Sequence, residues 1–198
     1  MTVFHLLRHG EPAVLGRLNG RLPGVGLSAA GRAEIIAQAG RLAGEKIEAI
    51  YASPMQRTRE TAEILSDRLG LPVHYREDVI EIDYGEWTGL TFDEIRRDER
   101  WQMWSRSRGV AAIPGGESWR GVQERVLGAL FDLRQAHPDG SVAIVSHGDV
   151  IRAGLLFALG MPLDFYSRIE IAFASLSTIR LDGAGIRVSG LNEWPRLL

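Results

Sequence analysis

Val3-Phe4-His5-Leu6-Leu7-Arg8-His9-Gly10-Glu11-Pro12 is the stretch that sets the reading of this chain. Val3 to Leu7 is an apolar run of buried-strand type, interrupted only by His5, and it ends abruptly on charge, glycine and proline. The same grammar returns at Ser141–Val145, an apolar run cut off at Ser146-His147-Gly148-Asp149. A third run, Ile47 to Ala52, meets Ser53-Pro54, which reads as an N-cap followed by proline at the first helical position. The helix so opened carries Arg57, Thr61, Ile64 and Leu65 and stops at Gly70.

Helical patterns separate these runs. Residues 13–27 hold Gly16, Gly20, Pro23, Gly24 and Gly26 and read as a loop, after which Ser28 caps a helix to about Ala43 with Ile35, Ile36, Ala39 and Leu42 on one face. Pro72 to Arg76 is a short strand. Glu81 to Ser118 is irregular, with one helix opened by a Thr91-x-x-Glu94 capping box. Ser118 begins a long amphipathic helix with Trp119, Val122, Val126, Leu127, Leu130 and Leu133 on its stripe, and another helix spans about Val150 to Leu159. Residues 175–191 read as a terminal hairpin turning at Asp182-Gly183. Strand, loop and helix repeated with short connections predict an α/β fold, a three-layer α/β/α sandwich around a mostly parallel sheet. Without repeats or a linker, residues 1–198 form one expected domain, with a lid or insertion at about 84–117.

Composition narrows the function. The 198 residues are 45% hydrophobic and 24% charged, with a formal charge of −2 and no cysteine. No positive excess exists to hold nucleic acid or an anionic membrane surface. The absence of cysteine removes a disulfide scaffold, a Cys-ligated zinc site, an iron–sulfur cluster and a thiol nucleophile. Lys46 is the sole lysine, so a phosphate-loop lysine is excluded as well. The first residues carry neither a basic leader nor a long apolar segment, and no later stretch resembles a membrane span, so a soluble cytoplasmic protein is expected.

Parallel strands place their carboxyl ends at one sheet edge, where ligands bind in such folds. That edge gathers His9, His147, Arg8 and Arg57 beside helix N-termini, an environment suited to a tetrahedral dianion such as a phosphoryl group. A metal site is disfavoured by the guanidinium beside His9 and by the lack of His-x-His or Asp-x-Asp spacing. The Gly-x-Ser-x-Gly elbow of serine hydrolases and the Gly-x4-Gly-Lys phosphate loop are both absent. A nucleophilic histidine attacking phosphorus in line, with arginines neutralising the equatorial oxygens, is the best chemical fit.

Leu7-Arg8-His9-Gly10-Glu11 resembles the signature of the histidine phosphatase superfamily, which includes the cofactor-dependent phosphoglycerate mutases. Three further segments match in order: Ala52-Ser53-Pro54-x-x-Arg57-Thr58-x-x-Thr61-Ala62, Glu81-x-Asp83-Tyr84-Gly85-x-Trp87-x-Gly89, and Ser146-His147-Gly148. The resemblance implies a phosphoglycerate mutase-like fold, His9 as the residue that becomes phosphohistidine, and Arg8, Arg57 and His147 as the phosphoryl pocket. It implies Glu81 as the acid for the leaving oxygen and then the base for water, with no cofactor and no metal. The chain departs from the family after Glu11, where a Trp-Asn pair is replaced by Pro12-Ala13-Val14-Leu15-Gly16-Arg17. Arg17, Asn19 or Arg21 is expected to take the asparagine's part, with Tyr84, Glu117 and Ser118 as further substrate contacts.

Trp101, Met103 and Trp104 read equally as pocket lining and as core. Arg106 and Arg108 read as a solvated face, His5 as a packed neighbour of the first strand, and His74 and His137 as surface residues. Tyr84-Gly85-Glu86-Trp87-Thr88-Gly89 lacks the lysine of the mutases, and the chain is shorter than those enzymes. The expected activity is metal-independent hydrolysis of a small phosphorylated metabolite, in the branch that resembles α-ribazole phosphatase and broad-specificity phosphatases. The alternatives are mutase-type phosphoryl transfer and a low-turnover phospho-ligand-binding module. The expected partner is a small phosphorylated substrate, without nucleic acid or membrane and with a homodimer as the compatible assembly.

Overall fold

The computed structural model describes residues 1–194. Six strands form one sheet: β1 (Thr2–Arg8), β2 (Ala49–Ala52), β3 (Val73–Tyr75), β4 (Ser141–Ser146), β5 (Leu176–Asp182) and β6 (Gly185–Glu193), in the order β3-β2-β4-β1-β5-β6. β1 to β4 run parallel, and the hairpin β5–β6 adds the antiparallel edge beside β1. Both faces are covered, which is why the parallel strands are continuous apolar runs rather than alternating ones. Leu7, Ala143 and Val145 face α1 (Ala29–Leu42) and α2 (Gln56–Leu69), together with Ile35, Leu42 and Leu65. Phe4, Leu6, Val142 and Ile144 face α5 (Trp119–Ala136) and α6 (Gly148–Ala158), together with Val122, Val126, Leu130 and Leu155.

Register positions the site. Arg8 pairs with Ser146 and Ala52 with Val145, so the next residues along each strand, His9, His147 and Ser53, leave the same sheet edge side by side. The turn after β1 is held against α1 by a pair of small residues. A Cβ on Gly10 would come within 2.6 Å of the Gly31 carbonyl oxygen, and one on Gly31 within 2.3 Å of the Glu11 oxygen. Ser28 caps α1 through the Gly31 N–H and also donates its hydroxyl to Glu11 at 2.8 Å, which fastens the helix start to the same turn.

Three local readings need correction. Ser53-Pro54 does not cap α2, which starts at Gln56 after an uncapped Met55; Ser53 is drawn into the site instead. The last parallel helix begins at Gly148 rather than Val150, directly on the strand end. The 81–118 segment holds two helices rather than one. Thr91 and Glu94 form the expected capping box of α3 (Phe92–Ile95), and Asp98 caps α4 (Glu99–Arg106).

This segment is part of the core. Trp87, Ile95, Trp104 and Ile113 are buried in the cluster that includes Phe4 and Ile144. Trp104 is fully buried and Trp101 packs on it, whereas Met103 is 66% exposed. Main-chain hydrogen bonds Leu18 N–H to Leu90 O (2.9 Å), Gly89 N–H to Leu18 O (2.8 Å) and Phe92 N–H to Gly16 O (3.2 Å) zip it to the loop after β1. No described helix is long and apolar enough to cross a membrane.

Alanine inside a helix ordinarily stabilises relative to glycine by about 1 kcal/mol. At Gly31 the sign is expected to reverse, with Gly31→Ala destabilising by about 1–3 kcal/mol as the methyl group meets the Glu11 main chain. Urea denaturation measures this directly, and an unchanged midpoint would contradict the packing described.

Candidate active site

His9 is 3% exposed, and its Nδ1 lies 2.8 Å from the Gly10 carbonyl oxygen. A carbonyl only accepts, so Nδ1 carries the proton and Nε2 keeps its lone pair. That lone pair faces Arg57, whose Nε–H donates to it at 3.2 Å. Burial, reinforced by the Arg57 and Arg8 charges, holds the His9 pKa well below the ordinary histidine value, so the ring is neutral at neutral pH.

Arg57 reaches the site from the first turn of α2. Its Nη2 donates to Gly20 O at 2.8 Å and to His147 Nδ1 at 3.1 Å, and lies 3.6 Å from Glu81 Oε2. One turn on, the Thr61 hydroxyl donates to Arg57 O at 2.8 Å and accepts the Gly10 N–H at 3.3 Å, tying α2 to the turn that carries His9. His147 is fully buried. Because its Nδ1 accepts from Arg57, its Nε2–H donates to Ser53 Oγ at 2.7 Å. The two imidazoles, with centroids 5.3 Å apart, thus hold opposite tautomers. Burial, then Arg57 and His9, keep His147 neutral as well.

Arg8 donates to Ile171 O at 2.6 Å, and its guanidinium carbon sits 3.8 Å from the centre of the Phe173 ring. Burial lowers its pKa to about 10, which leaves it cationic at neutral pH. Glu81 closes the group. Its Oε1 accepts the Ile82 N–H at 3.0 Å, and its Oε2 stands 3.6 Å from both Arg57 Nη2 and His147 Nδ1. Burial raises its pKa to about 7 against the opposing pull of Arg57. This carboxyl is divided between acid and base forms near neutrality, the range in which one group serves both roles best.

These side chains form one wall of a cleft of about 280 Å³, at the small end of ligand pockets and adequate for a phosphoryl group with a modest organic part. Arg8, His9, Arg57 and Glu81 line it, with His147 directly behind Arg57 and Glu81. Of the expected loop contacts, Arg17, Asn19 and Tyr84 line the cleft. Asn19 spends its Nδ2 on Val14 O at 2.8 Å and shapes the loop. Arg21, Glu117 and Ser118 do not line it, because each is committed elsewhere. Arg21 donates to the Glu81 carbonyl at 2.7 Å and pairs with Glu117, which also holds Arg125, so these three brace Glu81 from behind. Ser118 caps α5. Among the described residues, no group of three or more His, Asp or Glu side chains is arranged to hold a metal ion.

The sequence profile of the histidine phosphatase superfamily (branch 1) matches residues 4–193, nearly the whole chain and every strand of this sheet. The chain belongs to that superfamily. Phosphoserine phosphatase 1 of Hydrogenobacter thermophilus is 32% identical over 187 residues, covering 92% of this chain and 88% of its own length. Among solved structures, YhfR of Bacillus stearothermophilus superposes with a TM-score of 0.91 at 30% identity, covering 98% of both chains. A phosphoserine phosphatase variant from Entamoeba histolytica, in complex with phosphoserine, superposes at 0.89 with 25% identity over the full length of both. Site and relatives agree on a phosphomonoesterase.

Sequence reasoning overlooked a second layer of this histidine phosphatase site. Asp149, at the start of α6, accepts from the Tyr84 hydroxyl, from Arg108 Nη1 at 3.2 Å and from Arg152. Burial opposes its ionisation, but Arg108 and Arg152 outweigh that and hold its carboxyl below the ordinary range. Arg108 is 6% exposed, which corrects its reading as a solvated residue. Its guanidinium lies 3.4 Å from the centre of the Tyr166 ring and 3.7 Å from that of Trp104, so cation–π contacts and Asp149 compensate its burial. His137 is likewise engaged, bonded to Glu48 and, at 3.0 Å, to Tyr51. A sequence signal existed for Asp149 and Arg152, one turn apart just after His147-Gly148; Phe173 and Arg108 had none.

Removing one partner of a buried ion pair strands the other. Arg108→Ala is expected to destabilise by about 3 kcal/mol in urea unfolding, the lower end for such pairs because Asp149 keeps Tyr84 and Arg152. An Arg108→Ala protein as stable as the parent would show that the pair does not anchor the 84–117 segment.

Proposed function

We propose that this chain hydrolyses small phosphomonoesters through a phosphohistidine on His9. One observation carries the reading: His9 lines the cleft with its Nδ1–H spent on Gly10, so the nucleophilic lone pair is that of Nε2, which Arg57 Nε–H holds here and releases when it turns to a phosphoryl oxygen. In the first step Nε2 attacks phosphorus, the ester P–O bond breaks, and Glu81 in its acid form delivers a proton to the departing oxygen. Arg8 and Arg57 neutralise the equatorial oxygens; Arg57 Nη1 and Arg8 Nε are buried donors without a protein partner and suit that use. In the second step Glu81, now carboxylate, takes a proton from water as the water oxygen attacks phosphorus. The P–N bond breaks, inorganic phosphate leaves, and His9 is neutral again. His147 holds its lone pair toward Arg57 and, through it, fixes the guanidinium. The relatives named for phosphoserine support a small metabolite as substrate.

His9→Ala is expected to lower phosphate release by at least roughly 1,000-fold with the fold intact by circular dichroism. In the parent, rapid quenching of a labelled ester should trap protein-bound phosphate that is stable in alkali and lost in acid, as a phosphoramidate is. Retained turnover in His9→Ala would remove His9 from the nucleophile's place.

The pH dependence follows from the two shifts. Glu81 must be protonated for the first step, so kcat/KM for alkyl esters should fall as pH rises through about 7. His9 must be neutral and its pKa is depressed, so the acid limb should lie below the ordinary histidine range. Glu81→Gln should slow alkyl esters by roughly 100-fold or more and erase the upper limb; a limb that persists in this variant would assign it to another group.

A further inference from the structure

Arg8 is held differently from Arg57. Arg57 has acceptors on three segments, whereas Arg8 takes its side-chain hydrogen bond and its aromatic contact from one, residues 171–175 ahead of β5. Its Nη1 donates to Ile171 O at 2.6 Å, and its guanidinium carbon lies 3.8 Å from the centre of the Phe173 ring. That ring lines the cleft, 5.6 Å from the imidazole of His9. The main chain repeats the pairing: Ala174 N–H donates to His9 O at 3.1 Å, and Arg8 N–H to Ser175 O at 3.0 Å. A single hydrogen bond leaves a planar guanidinium free to turn about it. The Phe173 face fixes the plane, and the start of α6 closes in nearby, where a Cβ on Gly148 would stand 3.2 Å from both Cζ and Nε of Arg8. Nε is the buried donor without a protein partner.

The 171–175 segment is itself tied down from outside. Ala174 is fully buried and adopts φ +54°, a left-handed conformation that a side chain disfavours and the surroundings must impose. Gln38, fully buried on α1, donates Nε2 to Ala174 O and to Glu193 O, both at 3.1 Å. Asn192 Oδ1 accepts the Ala172 N–H at 2.7 Å. The end of β6 thus holds the segment that holds Arg8.

We propose that residues 171–175 are a strap that aims Arg8 at the transferred phosphoryl group, with Phe173 as a positioning residue and Asn192 as the outer anchor. The inference rests on the phosphatase reading above. Kept flat on the Phe173 ring, the guanidinium presents Nε to an equatorial oxygen without reorganising as charge develops. Phe173 then serves the phosphoryl group that all substrates share, and not the organic part that distinguishes them.

The test compares kcat/KM for benzyl phosphate and phosphoserine, two alkyl esters with unlike organic parts. Phe173→Leu keeps an apolar side chain and removes the aromatic face; it should lower kcat/KM by roughly tenfold, equally for both esters. Inhibition by inorganic phosphate should weaken in the same variant, and Phe173→Tyr should recover most of both losses. In an Arg8→Ala background, Phe173→Leu should cost no more than about twofold, because the group it positions is gone. Asn192→Gly suits the φ of +50° at this position and removes the acceptor. It should lower kcat/KM for both esters by roughly threefold or more, with Asn192→Asp recovering the loss, and this pair keeps the test decisive if Phe173→Leu folds poorly. A loss that differs between the esters, persists undiminished in Arg8→Ala, or is not recovered by Phe173→Tyr overturns the strap while leaving the phosphatase intact. A parent that hydrolyses neither ester, or turnover that survives His9→Ala, overturns the phosphatase reading and the strap with it.

Discussion

A guanidinium with 2% exposure must find acceptors inside the protein, and Arg57 finds them on three separate segments. It donates to the lone pair of His9 after β1, to the lone pair of His147 after β4, and to the Gly20 carbonyl of the first loop, with Glu81 beside it. Each acceptor must therefore sit at a fixed distance from the start of α2. The parallel register supplies this for the two histidines, and the Gly10–Gly31 contact supplies it for the turn between them. A buried cation also forbids either imidazole from becoming a cation easily, so the residue that organises the site keeps both histidines neutral.

Much of this architecture is legible in the residues. Two apolar runs ending in His-Gly are enough to place two imidazoles at one sheet edge, because strand direction is fixed by the helices between them. Arg57 follows from the third strand end at Ser53-Pro54, four residues before it in the opening turn of a helix, whereas Glu81, one acid among 25, is placed by family resemblance rather than by spacing. The environment of Glu81, which sets its proton affinity, comes from burial by segments distant in the chain.

The misreadings share a cause. Ser53-Pro54 has the chemistry of a helix start, yet the hydroxyl serves His147, whose Nε2–H has no nearer acceptor. Arg108 sits in a polar stretch with Arg106, and its sequence neighbours give no hint that Tyr166 and Asp149 close over it. In both cases a local preference is overridden by a partner more than 40 residues away, and pattern reading has no access to such partners. Arg21 and Glu117 follow the same rule: they serve the site, but from behind Glu81.

The wall that faces the reacting atoms is joined through main-chain N–H and C=O groups between residues 16–18 and 89–92. Those bonds are indifferent to what the side chains are. Val14, Leu15, Arg17 and Phe92 can therefore be exchanged without disturbing the backbone that holds them or His9, which lines the same cleft. Descent with new substrates is open to this scaffold by side-chain replacement alone, and chemistry and selectivity are free to diverge at different rates.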